Sequence, residues 1–202
     1  MTLDRFRHVA DRALDPFVGA ARTVGLSPNG VSVIAFLLAV AAGGVYTLAA
    51  GRPLLYLVGA GLVFLNGWLD LVDGALAREL NVASSAGDLL DHVLDRYADI
   101  VIIVGLAAGI GQWALGIAAV TGVLMTSYLG TQAQAVGLDR VYGGALGRAD
   151  RLALVGIVTG IAAFVRPTGL GLDPIGWLLV VFAAVGHVTA LQRFYHAMQA
   201  LE

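Results

Sequence analysis

Long stretches without a charged side chain constrain this chain more than any other feature of its sequence. Charged residues are absent from residues 23–51, 53–69, 100–138, 152–165 and 174–192. A helix needs about 20 apolar residues to cross the hydrocarbon core of a bilayer. The chain is 58% hydrophobic, with a mean hydropathy of +0.83. These stretches predict an integral membrane protein rather than a soluble domain.

The interval 100–138 is long enough for two crossings, and the sequence "GIGQWALG" within it predicts a break between two helices. The resulting fold class is all-α. The six predicted transmembrane helices run approximately over residues 30–50, 53–80, 87–109, 112–136, 149–166 and 174–198. We therefore expect one membrane domain over residues 1–202, with a six-helix bundle over residues 30–198.

Residues 1–24 have a different pattern, in which apolar residues are spaced among charges. This pattern predicts an amphipathic helix along the membrane interface. A short helix packed on the bundle is a compatible alternative. The sequence "LSPNG" follows, and it predicts a turn with Ser27 as the N-cap and Pro28 in the first turn of the next helix.

All twelve basic residues are arginine, and their distribution predicts the orientation of the chain. With a cytoplasmic N-terminus and six crossings, only Arg52 and Arg166 fall on the outer side. The cytoplasmic group comprises Arg5, Arg7, Arg12, Arg22, Arg78, Arg96, Arg140, Arg148, Arg151 and Arg193. This asymmetry favours both termini on the cytoplasmic side of the membrane.

Acidic residues are concentrated in one short segment. Seven of the fourteen lie between Asp70 and Asp99, together with only two arginines. Burying one unpaired carboxylate is costly, and burying several together costs more because they repel one another. The segment therefore requires a source of positive charge, and it lies at the predicted cytoplasmic ends of the second and third crossings.

The acids and several small residues share one face on each of these two predicted helices. The first stripe comprises Asp70, Asp73, Gly74 and Ala77, and the second comprises Gly87, Asp91 and Asp95. Facing each other, the stripes would assemble four carboxylates. Oxygen ligands suit Mg²⁺ and Mn²⁺, so the pattern predicts a site for one or two metal ions. An ion or proton transporter with a carboxylate relay explains the acids, but not the small residues and arginine beside them.

These residues form the pattern D-x2-D-G-x2-A-R-x8-G-x3-D-x3-D between positions 70 and 95. The pattern resembles the signature of the CDP-alcohol phosphatidyltransferase family of membrane enzymes, which also has six helices. The resemblance implies transfer of a lipid phosphate from a CDP-linked lipid to the hydroxyl of a small polar alcohol, with release of CMP. The lipid would be either a diacyl lipid or an archaeal ether lipid. The resemblance also implies a homodimer, and we expect no nucleic acid among the partners.

The resemblance assigns roles to matching positions. Asp70, Asp73 and Asp91 would be ligands of two Mg²⁺ or Mn²⁺ ions, and Asp95 would be both a ligand and the general base. The nucleotide and diphosphate contacts would be Asp70, Gly74, Ala77, Arg78, Ser84 and Gly87. For Ser84, capping the third predicted transmembrane helix is an equally acceptable role.

The sequence indicates the acceptor less clearly than it indicates the CDP-linked donor. The sequences "LDRYAD" and "RADR" are similar to the family branch that uses inositol phosphate, so Arg96, Arg148, Arg151 and Gln132 are the candidate acceptor contacts. That branch typically reads S-Y-x-K-A-R-A where this chain has Gly130 in place of the lysine and Gln132 in place of the arginine. Glycerol phosphate, free inositol and serine therefore remain alternatives. Membrane-surface anchoring is an alternative role for Arg148 and Arg151.

Overall fold

The computed structural model describes residues 7–139 and 146–202, which form seven α-helices. The helices are α1 (Arg7–Thr23), α2 (Pro28–Thr47), α3 (Leu54–Glu79), α4 (Ser85–Gly109), α5 (Trp113–Ala135), α6 (Arg148–Ala162) and α7 (Pro174–Leu201). No β-strand occurs in this part of the chain, so the predicted all-α class is confirmed there. Residues 1–6 of the predicted interfacial helix and the predicted cytoplasmic Arg140 lie outside the described residues.

Among the described helices, α2, α3, α5 and α7 are long and apolar enough to cross a membrane. The helix α4 carries five charged residues of the acidic segment, from Asp88 to Asp99, within its first 15 residues. The helix α6 has 15 residues, or about 22 Å at 1.5 Å per residue. It ends at Ala162 rather than near residue 166, and the Phe164 amide there bonds to the carbonyl oxygen of Ile161, three residues back rather than four. Six crossings therefore stay a prediction.

Two serine caps set the starts of the helices that flank the acidic segment. The Ser27 hydroxyl accepts a hydrogen bond from the Gly30 amide (3.1 Å), and Pro28 occupies the first turn of α2, as predicted. The Ser84 hydroxyl accepts one from the Gly87 amide (3.1 Å) and caps α4. Each cap satisfies an amide that has no partner within its helix.

Glycines bring the helix backbones into direct contact. A Cβ atom at Gly105 of α4 would lie 2.3 Å from the Gly43 carbonyl oxygen of α2, and one at Gly43 would lie 2.6 Å from the Val101 carbonyl oxygen. A Cβ atom at Gly186 of α7 would likewise lie 2.6 Å from the carbonyl carbon of Gly122 in α5. Such close approach is how membrane helices gain packing energy where the hydrophobic effect is weak.

The helix α6 packs beside α3 and contacts α2. The Leu152 side chain of α6 lies against Gly67 of α3, 3.3 Å from the position a Cβ atom would take there. The hydroxyls of Tyr46 in α2 and Thr159 in α6 are 3.1 Å apart, and both side chains are fully buried. This packing brings the N-terminus of α6 to the end of α3 that carries Asp70.

The helix α1 packs on the bundle. Leu14, Val18 and Ala21 are buried in one cluster with Val31, Val72 and Leu76. The ring of Phe17 also meets the ring of Trp68 edge-on, with centroids 5.3 Å apart. These contacts agree with the packed-helix alternative, and the interfacial role of this helix stays a prediction.

Candidate active site

Three of the predicted metal ligands come together where α3 and α4 meet. Asp70 lies near the end of α3, and Asp91 and Asp95 lie one turn apart near the start of α4. One carboxylate oxygen from each can be chosen so that all three lie within 4.8 Å of one another. We call Asp70, Asp91 and Asp95 the three-carboxylate group. All three side chains are partly buried, so the group is costly without a bound or neighbouring cation.

Asp73 is not a member of this group, although the sequence placed it on the same stripe as Asp70. Residues three apart on a helix differ by about 60° in direction, and Asp73 points towards α2. There the Ser32 hydroxyl donates a hydrogen bond of 2.6 Å to its carboxylate. Asp73 is buried and borders the same cavity as Asp91. The structure therefore brings three of the four predicted carboxylates together and sets the fourth beside them.

Arg148 contacts two members of the three-carboxylate group. Its Nη1 atom lies 2.5 Å from Asp70 Oδ2, and its Nη2 atom lies 2.9 Å from Asp95 Oδ1. Arg148 is the first residue of α6, a helix whose start is stabilised by a 2.9 Å hydrogen bond from the Gly147 amide to Asp150. One guanidinium thus bridges a carboxylate of α3 and a carboxylate of α4.

The other two predicted acceptor arginines lie next to this bridge. Arg151 donates a hydrogen bond of 2.7 Å to Asp99. Arg96 lies 3.6 Å from Asp95 and 3.8 Å from Asp99, and it also donates to the Ser127 hydroxyl. Arg148 and Arg151 are buried against carboxylates, which does not fit anchoring at the membrane surface. Asp99, to which the sequence assigned no firm role, joins the network as the partner of Arg151.

A cavity of about 730 Å³ opens beside Asp73 and Asp91. Five of the six predicted nucleotide contacts line it, namely Gly74, Ala77, Arg78, Ser84 and Gly87. The sixth, Asp70, belongs to the three-carboxylate group and lies outside this lining. These five residues come from the end of α3 and the start of α4, and we call them the cavity wall.

The two glycines of this wall keep the cavity open. A Cβ atom at Gly74 would meet only the Arg78 side chain, with Nη1 3.5 Å away. A Cβ atom at Gly87 would lie 3.3 Å from the side-chain oxygens of Asn29 and Ser84. Larger residues at either position would project into the space or crowd its polar rim, which agrees with the small-residue stripes in the sequence.

Sequence reasoning missed the contribution of α2 to the site. Ser32 holds Asp73, and Asn29 lies at the cavity next to Gly87. Neither residue is marked by periodicity or by a motif, and only the packing of α2 against α3 and α4 brings them here.

Gln132, a predicted acceptor contact, lies near the end of α5, outside the ion-pair network of the described residues. Asp88 lies in the first turn of α4, where its negative charge interacts favourably with the positive end of the helix dipole.

The sequence profile of CDP-alcohol phosphatidyltransferases matches residues 25–190. The chain belongs to the CDP-alcohol phosphatidyltransferase family. An archaetidylinositol phosphate synthase of Methanothermobacter thermautotrophicus is 33% identical over 205 residues, which cover 99% of this chain and 96% of that protein. Membership confirms the predicted reaction class and makes this chain a transferase rather than a transporter.

Solved structures of family members agree with this assignment. The phosphatidylinositol phosphate synthase of Mycobacterium tuberculosis with CDP-DAG bound has a TM-score of 0.77 and 26% identity, covering 92% of this chain and 94% of that one. The same synthase in complex with manganese and citrate has a TM-score of 0.78 and 25% identity, covering 92% and 88%. The predicted dependence on a divalent metal is thus confirmed as a property of the family, and this chain carries a carboxylate group suited to such an ion.

Proposed function

We propose that this phosphatidyltransferase joins the lipid phosphate of a CDP-linked lipid to a polyol phosphate such as inositol phosphate or glycerol phosphate, releasing CMP. One observation carries the proposal: the Arg96, Arg148 and Arg151 network lies directly beside Asp95, the predicted base. An acceptor that bears a phosphate needs arginines within reach of the hydroxyl that reacts.

The three-carboxylate group fits a divalent metal. Its donors are all carboxylate oxygens, the set that Mg²⁺ and Mn²⁺ prefer. Asp70, Asp91 and Asp95 would hold the ion, and Asp73 beside them would serve a second one. When bound, the metal would polarise the diphosphate and neutralise charge on the departing CMP phosphate.

The cavity is the proposed site of the donor's CDP group. Gly74 and Ala77 leave a flat wall against which a cytosine ring can lie, and Arg78 supplies a positive charge at the same wall. Ser84 and Gly87 border the cavity at the start of α4. The wall ends at Asp91, a member of the three-carboxylate group, so a diphosphate bound here would adjoin the metal ligands.

Asp95 is the proposed general base. It would accept the proton of the attacking hydroxyl, whose oxygen forms a bond to the lipid-linked phosphorus while the bond from that phosphorus to the CMP oxygen breaks. The acceptor proton would reside on Asp95, and CMP would leave with the electron pair. Arg148 and Arg96 lie 2.9 Å and 3.6 Å from the Asp95 carboxylate, which supports a position of the proposed base next to the candidate acceptor contacts.

A second acceptor class is supported by Gly130 and Gln132, which stand where the inositol-phosphate branch typically has lysine and arginine. The same chemistry would then act on an acceptor without a phosphate, such as free inositol or serine. The charges of Arg148 and Arg151 are already paired with carboxylates, which also favours this alternative.

For the membrane arrangement, we propose one domain over residues 1–202, with six crossings and α1 along the interface. Both termini and the active site would face the cytoplasm. Five described arginines lie in the half of their helix that is nearer the three-carboxylate group, which supports this orientation. They are Arg78, Arg96, Arg148, Arg151 and Arg193. A homodimer is part of the same proposal.

The deciding experiment measures CMP release by the purified full chain in detergent, with a CDP-linked lipid, Mn²⁺ and one acceptor at a time. We expect inositol phosphate or glycerol phosphate to give the fastest release. Faster release with serine or free inositol would overturn the polyol phosphate assignment. The proposed function as a whole would be contradicted if none of the acceptors supported CMP release and if sealed vesicles containing the protein showed an ion flux without any CDP-lipid.

A further inference from the structure

We propose that Arg148 is a built-in counter-cation that competes with the divalent metal for Asp70 and Asp95. This inference rests on the metal ligands proposed above and concerns how the site responds to the metal. In the proposal, the guanidinium and the metal are alternative partners for the same carboxylates, and binding of one weakens the hold of the other.

The contacts of Arg148 single it out for this role. Its two terminal nitrogens lie 2.5 Å from Asp70 and 2.9 Å from Asp95, so both of its ion-pair partners are proposed metal ligands. Its side chain is only 13% exposed. A guanidinium buried to this degree is stable only when it is paired, and a carboxylate group of this kind is stable only when it is neutralised. Each therefore offsets the charge of the other.

The neighbouring arginines do not share this arrangement. Arg151 is paired with Asp99, which is not a proposed metal ligand. Arg96 lies 3.6 Å from Asp95 and 3.8 Å from Asp99, and its hydrogen bond goes to Ser127. Competition with the metal is thus expected chiefly from Arg148.

The geometry makes the competition direct. The oxygens of Asp70, Asp91 and Asp95 lie within 4.8 Å of one another, so a cation held by them would be in contact with the Asp70 and Asp95 carboxylates that Arg148 bridges. Two cations at one group of carboxylates repel each other and compete for the same lone pairs of the carboxylate oxygens. By thermodynamic linkage, the bound metal weakens the ion pairs of Arg148 by the same factor by which these ion pairs lower the affinity for the metal.

The test is Mn²⁺ binding to the purified full chain in detergent, measured by electron paramagnetic resonance without lipid or acceptor. We expect Arg148→Gln to bind Mn²⁺ on the order of tenfold more tightly, because two charge-assisted contacts no longer compete. Arg148→Lys keeps the charge and should stay near the affinity of the parent. The control Arg52→Gln removes the same charge at an exposed position at the opposite end of α3 and should leave the affinity unchanged.

Unchanged or weaker Mn²⁺ binding by Arg148→Gln, with normal binding by the parent, would overturn this inference and leave the proposed function standing. Tightening by Arg148→Lys equal to that of Arg148→Gln would also overturn it, since charge would not be the cause. A parent chain that binds no Mn²⁺ would overturn the proposed ligands and the inference together.

A second measurement uses the parent chain, in case Arg148→Gln does not fold. Phenylglyoxal modifies arginines that are released from ion pairs, and peptide mass spectrometry reports the rate at Arg148. We expect Mn²⁺ to accelerate modification at Arg148 and to leave Arg52 unaffected. An unchanged or slower rate at Arg148 would indicate a fixed structural ion pair and would overturn the inference.

Discussion

Arg151 and Asp99 form a buried ion pair between α6 and α4. Arg151 Nη2 donates to Asp99 Oδ2 at 2.7 Å, and the two side chains are 8% and 5% exposed. Removing one partner leaves the other charge buried and uncompensated. We expect Asp99→Asn and Arg151→Met each to lower the free energy of unfolding by about 3 kcal/mol or more. Denaturant unfolding in detergent, followed by circular dichroism, measures the change.

The double variant Asp99→Asn/Arg151→Met is the control for this pair. With both charges removed, no uncompensated charge stays in the bundle, so the double variant should lose clearly less stability than the sum of the two single losses. Simple additivity of the two losses would show that the ion pair is not what stabilises this contact between α4 and α6.

Asp95 and Asp70 should differ in the step that they affect. Asp95→Asn removes the proposed base and one carboxylate of the three-carboxylate group, but no predicted nucleotide contact. CDP-lipid binding should therefore persist at saturating Mn²⁺, while CMP release should fall by a factor of about 100 or more. Asp70→Asn removes a proposed metal ligand that is also a predicted nucleotide contact, so it should weaken Mn²⁺ and CDP-lipid binding together. Equilibrium binding and single-turnover CMP release separate the two effects. Full turnover by Asp95→Asn would remove this residue from its assigned role.

Ser32 should affect the donor through Asp73. Ser32→Ala removes the 2.6 Å hydrogen bond that orients this buried carboxylate. Because hydrogen bonds to charged groups are stronger than neutral ones, we expect the KM for the CDP-lipid to rise about tenfold. Thr47→Ala, at the other end of α2, deletes a hydroxyl that bonds only within its own helix among the described contacts, and it should leave KM unchanged. Equal KM values in the two variants would show that Ser32 does not act on the donor site.

Gly74 offers a test of the cavity wall that separates stability from binding. Alanine is the better helix former, so Gly74→Ala should stabilise α3 by up to about 1 kcal/mol. The added methyl group narrows the cavity next to Arg78, so the KM for the CDP-lipid should rise. Gly61→Ala, on the same helix with open space around it, should raise stability without changing KM. A Gly74→Ala enzyme with unchanged KM would place the donor elsewhere.

Gly43 and its neighbour Gly44 test the helix contact. A Cβ atom at Gly43 would lie 2.6 Å from the Val101 carbonyl oxygen, so Gly43→Ala must push α2 and α4 apart. We expect a loss of about 2 kcal/mol in the free energy of unfolding, as in other overpacked contacts. Gly44→Ala meets nothing within 4 Å and should be neutral or slightly stabilising. Thermal unfolding of the two variants measures the difference in their melting temperatures. Equal melting temperatures would contradict the close contact between α2 and α4.

Much of the fold could be read from local pattern. The break after Gly109, the cap at Ser27 and the start of α7 near residue 174 follow from glycine, serine and proline positions that act on neighbouring backbone. The end of α6 was predicted about four residues too late, since apolar residues continue beyond Ala162 and do not mark where the regular helix stops. Periodicity also placed Gly74, Ala77 and Gly87 correctly on the face that became the cavity wall.

The sequence by itself determined the reaction class and the two small-residue faces that line the cavity proposed for the donor, because the motif from Asp70 to Asp95 lies on two consecutive helices joined by a short turn. Only the tertiary structure decided which groups meet across helices. Ser32 and Asp73 are 41 residues apart, and Asp99 and Arg151 are 52 apart. Such contacts depend on how α2 and α6 pack against α3 and α4. Helical periodicity gives the face of each residue but not the partner opposite it, so the bridge from Arg148 to Asp70 and Asp95 could be found only in the folded chain.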